Sequence, residues 1–319
     1  MMSSLQEAAQ NTITSCMAVT AGESVLVVCD KPERKIGYAL WTAARQAGAE
    51  AMLMEILPRT NHGEEPPPPV AAVMKLVDVL LCPTSRSLTH TDARRAASDA
   101  GVRAATLPGI TEDCMIRTLV ADYGEIAVRS EKTAKLLSAA RQVRVSSPAG
   151  TEIEFSIEGR AAHADTGLVH HPGEMSNLPA GEAYLAPVEG TARGRIVFEA
   201  AMAGLGKLDG CKIEVEIEDG LAVSFSGGEP ARRLEELLAP HGKPGLNLAE
   251  LGIGTNDRAQ VTGMILEDEK ILGTVHFALG DNQSMGGGVA VPIHLDGLVL
   301  EPSLWVDGKQ IMKDGSLQV

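Results

Sequence analysis

Two periodicities divide the chain. Through the first 140 residues, short apolar runs alternate with longer stretches of helical spacing. VLVVCD (25–30), AMLMEIL (51–57), DVLLCP (78–83) and VRAATLP (102–108) have the length and composition of buried strands. Residues 33–47 place Ile36, Leu40, Ala43 and Ala44 on one face and predict a helix closed by Gly48. VAAVMKLV, TDARRAASDAG (91–101) and residues 111–140, with a break near Gly124, predict further helices. The intervening PRTNHGEEPPPP reads as a loop, because proline continues neither helix nor strand. This rhythm predicts a parallel sheet with helices on both faces. From about residue 142 an alternation of period two takes over. ARGRIVFEA, CKIEVEIEDG and LAVSFSG predict antiparallel strands, with Glu214, Glu216 and Glu218 on a solvated face and Ile213, Val215 and Ile217 facing inward. Residues 229–242 predict a helix with Leu234, Leu237 and Leu238 as its buried stripe. The expected fold is an α/β N-terminal domain with a parallel sheet, residues 1–145, followed by a β-rich α+β metal-binding domain, residues 146–319.

Composition narrows the function classes. The 319 residues suffice for two well-filled cores, and a hydrophobic content of 44% excludes a disordered chain. A net charge of −14 with only 28 basic residues, and 3% aromatics, argue against nucleic acid as a partner. MMSSLQEAAQNTITSC reads as the start of a helix and not as a signal peptide, and no apolar run reaches membrane-spanning length. The five cysteines, odd in number and without a CxxC pair, read as buried thiols of a reducing compartment. The expectation is a cytoplasmic protein without a membrane partner. KPERKIG after the first strand lacks the Gly-x-Gly-x-x-Gly of a dinucleotide site, and no Walker sequence exists. Thr84, Ser85 and Thr89 either line a crevice at the strand ends or form a plain surface loop.

The chemistry concentrates in residues 247–296. His294 and Asp296 are two apart, so an extended backbone points both to one face. His276 lies in the apolar strand TVHFAL and is either a core histidine or a third donor from a neighbouring strand. Glu250 interrupts the apolar LAELGIG, where a carboxylate must be exposed, paired or metal-bound. NLPAGEAYLAPV sets Glu182 at the entry to a strand, behind Pro179 and Gly181. Two imidazoles with carboxylates suit zinc, iron, manganese or cobalt. His163, Asp165, His170 and His171 form either a second donor cluster or a polar loop, and Gly286–Gly288 either cradles a substrate or is a flexible loop.

NLPAGEAYLAPVEG, NLAELGIGTN, DEKILGTVHFALG and PIHLDG follow one another in an order and spacing that resembles the aminopeptidase T-type metallopeptidase family over most of residues 175–300. That resemblance implies a hydrolase, a metal-dependent aminopeptidase acting on the N-terminal residues of peptides. It implies a homodimer and a site of two zinc, cobalt or manganese ions held by Glu182, Glu250, His276, His294 and Asp296. Glu250 would also be the proton acceptor. Where that family carries a tyrosine seven residues beyond the histidine, this chain has Gln283, the other candidate catalytic residue. The alternative comes from the same relatives. The chain is also similar to the 2,5-dihydroxypyridine 5,6-dioxygenase type, which implies a single iron(II) on His276, His294 and Asp296 and a small aromatic substrate. A catalytically inactive homologue is the third reading.

Overall fold

The computed structural model describes residues 4–319; residues 1–3 of the expected first helix lie outside the described residues. The chain forms two compact units, Met1–Gly124 with Thr166–Ala180, and Glu125–Asp165 with Gly181–Val319. The expected boundary at 145 falls inside the second of these. It cuts the strand Gln142–Ser146, which pairs with Glu152–Ser156 in one sheet of that unit.

The first unit is built on a parallel sheet. Ser24–Asp30 pairs with Glu50–Ile56 on one side and Val79–Cys82 on the other, and Arg103–Thr106 follows. A fifth strand, Met175–Asn177, pairs parallel with Arg103–Thr106 although it lies some seventy residues further along the chain. The helices Arg34–Gln46, Asp92–Asp99 and Glu112–Thr118 stand where the helical spacing predicts them. Two of them start on threonine caps: Thr91 accepts from the Arg94 N–H at 3.2 Å and Thr111 from the Cys114 N–H at 3.1 Å. The third expected helix begins earlier than its apolar pattern, at Pro68 (Pro68–Met74). The loop reading fails for Pro68 and Pro69 alone, because the first helical turn needs no N–H donors and proline fits there. Leu26, Val28, Leu80, Cys82 and Ala104 form the centre of the unit's core with Met74 and Leu88.

The second unit contains two sheets. One has eight strands, in the order Leu221–Ser226, Ile213–Glu218, Arg193–Phe198, Glu152–Ser156, Gln142–Ser146, Ser303–Val306, Lys309–Lys313 and Ser316–Leu317. The other has seven, in the order Gly206–Lys207, Ala201–Met202, His294–Val299, Val275–Gly280, Leu248–Gly254, Glu182–Leu185 and His163–Asp165. A single apolar cluster joins them. Val143, Val145, Ile153, Phe155, Ile213, Val215 and Ile217 come from the first sheet, and Leu185, Leu251, Ile253, Val275, Phe277 and Leu279 from the second. Phe155 and Phe277 meet edge to face, with ring centroids 6.1 Å apart. Glu214 and Glu216 stand on the opposite face of their strand as expected, half-exposed and paired with Arg195.

Four of the five cysteines are buried, whereas Cys211 is exposed, which corrects the reading of all five as buried thiols. Among the described residues no helix is long and apolar enough to cross a membrane.

Candidate metal centre

The seven-stranded sheet has one face committed to the core and one face left over. Its central strands Leu248–Gly254 and Val275–Gly280 are buried along their whole length, so the leftover face is also sheltered from water. Alternation sends Val275, Phe277 and Leu279 to the core and His276 and Ala278 to the sheltered face. Cross-strand partners share a face, and the register therefore assembles the rest. Asp296 lies opposite Ala278 and His294 opposite Gly280. Gly252 lies opposite His276 on one side and Tyr184 on the other, with Glu182 opposite Gly254. Asp165 and His163 on the edge strand lie opposite Glu182 and Tyr184.

Glu250 reaches this face through an irregularity. The ladder runs Leu248 to Leu279 and then Glu250 to Ala278, so Ala249 is an extra residue. A one-residue bulge reverses the sides of everything after it. Leu248 and Leu251 both reach the core although they are three apart, and Glu250 turns to His276.

The distances are those of a tight acid–imidazole cluster. His276 Nε2 is 3.1 Å from Glu182 Oε2 and 3.3 Å from Glu250 Oε1. His294 Nε2 is 3.0 Å from Glu250 Oε2 and 3.3 Å from Asp296 Oδ1, while its Nδ1 is 2.7 Å from the Asp281 carbonyl oxygen. Among the described residues the donor atoms that converge within 4.8 Å of one another form two groups, Glu182–Glu250–His276 and Glu250–His294–Asp296. Glu250 belongs to both, with one oxygen toward each ring. All five sequence candidates for metal binding are thus brought together, but His276 shares a group with neither His294 nor Asp296.

Room for the His276 ring comes from Gly252. A Cβ there would lie 2.7 Å or less from Nε2, Cε1 and Cδ2 of that ring. Gly181, at φ +126°, plays the corresponding part before Glu182, since a Cβ would lie 2.9 Å from Asn256 Cβ.

The electrostatics follow from burial and pairing. Burial opposes charge on His276, but its hydrogen bonds to Glu182 and Glu250 outweigh this and hold the imidazole pKa well above its usual range. For His294, burial is outweighed in the same way by Asp296 and then Glu250. Glu250, desolvated yet flanked by both rings, is pulled down to about 2. Lys270 Nζ lies 2.5 Å from Glu182 Oε1, 2.7 Å from Glu269 Oε1 and 3.6 Å from Asp165 Oδ2, and its pKa is raised against its desolvation by those three carboxylates. Burial and the fields of Glu182 and Asp165 raise the Tyr184 hydroxyl, which stays protonated near neutral pH.

A divalent cation fits these residues. Each imidazole Nε2 faces carboxylate oxygens, so nitrogen and oxygen donors of the kind that hold a divalent ion converge on one place. The buried His276 Nδ1 has no hydrogen-bond partner, so Nε2, which faces Glu182 and Glu250, is the nitrogen placed to meet an ion.

Several sequence candidates have other duties. His163 stacks on Tyr184 with ring centroids 5.3 Å apart. The backbone N–H groups of His170 and His171 donate to the Glu174 carboxylate, and the His170 ring reaches the Ser15 carbonyl oxygen at 2.8 Å. With Asp165 facing Lys270, these four residues do not form a donor cluster. Ser85 donates its N–H and hydroxyl to Asp30 at 2.9 and 2.6 Å, and Thr89 bonds Thr106 at 2.8 Å, so both tie the ends of neighbouring strands. Gln283 is exposed on a short 3₁₀ turn, its N–H 3.3 Å from Asp281 Oδ2. Gly288 lines a cavity of about 690 Å³ together with Glu189, Leu221, Lys243 and Asn247. Lys270, Tyr184 and the role of Asp165 escape the sequence reading. Their signals are a lysine in a charged run and side chains whose face is set by strand pairing.

With this geometry in view, the comparisons with known proteins decide the lineage. Residues 4–319 match the family NicX, 2,5-dihydroxypyridine 5,6-dioxygenase. The chain belongs to this family. It is 27% identical over 194 residues to the 2,5-dihydroxypyridine 5,6-dioxygenase of Pseudomonas putida, a stretch covering 57% of this chain and 55% of that protein. The alignment thus spans about half the length of the curated relative. Two solved structures share the fold. The 2,5-dihydroxypyridine dioxygenase of Pseudomonas putida KT2440 superposes with a TM-score of 0.82 at 20% identity, covering 98% of this chain and 96% of the other. Wild-type AmpT from Thermus thermophilus superposes with a TM-score of 0.71 at 17% identity, covering 99% of each chain.

These findings correct the hydrolase reading. The match along nearly the whole chain is to an oxidoreductase family, so the classification as aminopeptidase, metalloprotease and hydrolase falls. The motifs shared with the aminopeptidases mark a common metal-binding enzyme fold. Sequence motifs around strands of one sheet survive a change of chemistry because they build the sheet as well as the site.

Proposed function

We propose that this protein is a ring-cleaving dioxygenase that uses a single iron(II) and acts on a small dihydroxylated nitrogen heteroaromatic, 2,5-dihydroxypyridine being the reference compound. The observation that supports it most is the convergence of two imidazoles and buried carboxylates on one sheltered sheet face, in a chain of this family. His276, His294 and Asp296, drawn from two donor groups that share Glu250, would supply the two-histidine, one-carboxylate set suited to non-haem iron(II). Iron(II) bound there would supply open coordination positions and the electrons that activate dioxygen toward the ring diol. The surrounding residues do the positioning. Glu250 stays ionised and holds both imidazoles by their Nε2 atoms, which fixes their orientation before any metal arrives. The Asp281 carbonyl oxygen accepts from His294 Nδ1–H and thereby directs Nε2 toward the cluster. Tyr184 presents a protonated hydroxyl on the same face, a donor for an oxygen or nitrogen of the substrate. The burial of the central strands keeps bulk water from the reacting groups.

The reaction adds both atoms of one O₂ molecule across the ring carbon–carbon bond that breaks, so one O₂ is consumed per ring opened. The test is oxygen uptake by the iron(II)-loaded protein with 2,5-dihydroxypyridine, alongside loss of the ring absorbance. Equal consumption of oxygen and substrate, abolished in His294→Ala, is the expected result. A fully iron-loaded protein that consumes no oxygen with this or related hydroxypyridines and dihydroxybenzenes overturns the proposal.

A further inference from the structure

The segment Glu267, Asp268, Glu269, Lys270 is four charges in a row, yet Glu267 and Asp268 are fully buried and Lys270 is 2% exposed. The first two have local duties. Glu267 accepts from the Gln260 N–H, and Asp268 accepts from the N–H groups of Thr262 and Gly263. Lys270 is different, because its ammonium is spent on the candidate metal centre. It binds one oxygen of Glu182 at 2.5 Å, while the other oxygen of that carboxylate is 3.1 Å from His276. Glu269 and Asp165 complete a three-carboxylate cage around Nζ.

Two donor groups that share one carboxylate, as Glu182–Glu250–His276 and Glu250–His294–Asp296 share Glu250, are the layout of a site for two metal ions. One member of the first group, Glu182, already holds a cation through its other oxygen. We infer that Lys270 takes the place of a second metal ion, holding Glu182 as its own counter-ion and limiting the site to one divalent cation. The inference rests on the single-metal reading above. An ammonium has three donors and no lone pair, so it neutralises Glu182 from the side away from His276 without acting as a ligand. It also sets a positive charge beside any ion entering the Glu182 group, and in a buried site such repulsion is weakly screened. Lys270 is therefore a positioning residue that sets metal stoichiometry.

The test uses the full chain, stripped of metal and titrated anaerobically with manganese(II), read by metal analysis after desalting and by electron paramagnetic resonance. The wild type is expected to retain one equivalent with an isolated-ion spectrum. Lys270→Met is expected to retain two, with the broadened spectrum of a coupled pair, and Lys270→Arg one. Because Lys270→Met leaves the buried Glu182 and the partly buried Asp165 and Glu269 without a cation, the double variant Lys270→Met with Glu269→Gln accompanies it, and the same gain of a second ion is expected. A folded Lys270→Met or double variant that still retains a single ion overturns the role of Lys270 and leaves the single-metal reading standing. Two ions in the wild type, or in Lys270→Arg, overturn the role of Lys270 directly, the former together with the single-metal reading. A wild type that retains none overturns the metal centre itself.

Discussion

Replacing Gly252 by alanine tests the site through a residue that carries no chemistry. Gly252 is not held in a left-handed conformation, so the substitution acts by space alone. The added methyl would sit 2.7 Å or less from three atoms of the His276 ring. Non-bonded heavy atoms settle at about 3.5–4.0 Å, so Nε2, 1.9 Å from the added carbon, must retreat by roughly 1.6–2 Å. It has nowhere to go cheaply, because His276 is fully buried and its strand is paired on both sides. Overpacking of this kind costs about 1–3 kcal/mol. A metal–nitrogen bond near 2.0–2.1 Å does not survive a shift of that size. Loss of a correctly placed donor is expected to weaken metal binding by about 100-fold, judged from the 10–100-fold typical of mutations that merely disturb ligand orientation. At a metal concentration 100 times the wild-type Kd, binding stabilises the wild type by about 2.7 kcal/mol, and the variant would keep only about 0.4 kcal/mol of this. The assay is denaturant unfolding of both proteins, metal-free and with zinc or manganese at that concentration. A variant whose metal-dependent stabilisation equals that of the wild type would show that His276 is a core histidine and that this account of Gly252 is wrong.

Other outcomes follow from the same structure. Glu250→Gln keeps the shape but removes the charge between the two rings, and metal affinity measured by calorimetry should fall at least about tenfold. Phe277→Ala empties the contact between the two sheets and should lower unfolding free energy by about 3–5 kcal/mol in a urea titration; a loss under about 1 kcal/mol would mean the core closes around the gap. Glu33, half-buried near Asp30 and Glu112, has its pKa raised to about 7, chiefly by burial. Its contribution to stability is fully present below the unfolded carboxylate value of about 4.3 and is lost as pH rises through about 7. The melting temperature of Glu33→Gln should therefore gain on the wild type between pH 5 and pH 8, and parallel pH profiles would show that Glu33 titrates normally.

The local periodicities of the sequence determined the type of the first unit's main strands and helices and of the hairpin strands around Ile213–Glu218. Apolar runs became the parallel strands Ser24–Asp30, Val79–Cys82 and Arg103–Thr106 because a strand covered on both faces has no polar side to alternate with. Glu214 and Glu216 fell on a solvated face because period two leaves them no other. The His294–Asp296 spacing placed both side chains on one face for the same reason, and a carboxylate in LAELGIG could not be buried without partners. The family resemblance joined the five candidates into one ligand set, and it also carried the aminopeptidase reading that the family match overturns. What the sequence left open depends on contacts between residues far apart in the chain. MSN is too short and too polar to announce itself as a strand, and it becomes one because Arg103–Thr106 presents a free edge. The bulge at Ala249 is invisible in a run where every residue is buried, yet it decides that Glu250 and not Leu251 faces His276. Gly252 reads as a flexible residue until the neighbouring strand lays an imidazole across it. Lys270 is the clearest case. A charge in an acidic run belongs in water by every local rule, and only the convergence of Asp165, Glu182 and Glu269 from three segments makes its burial stable.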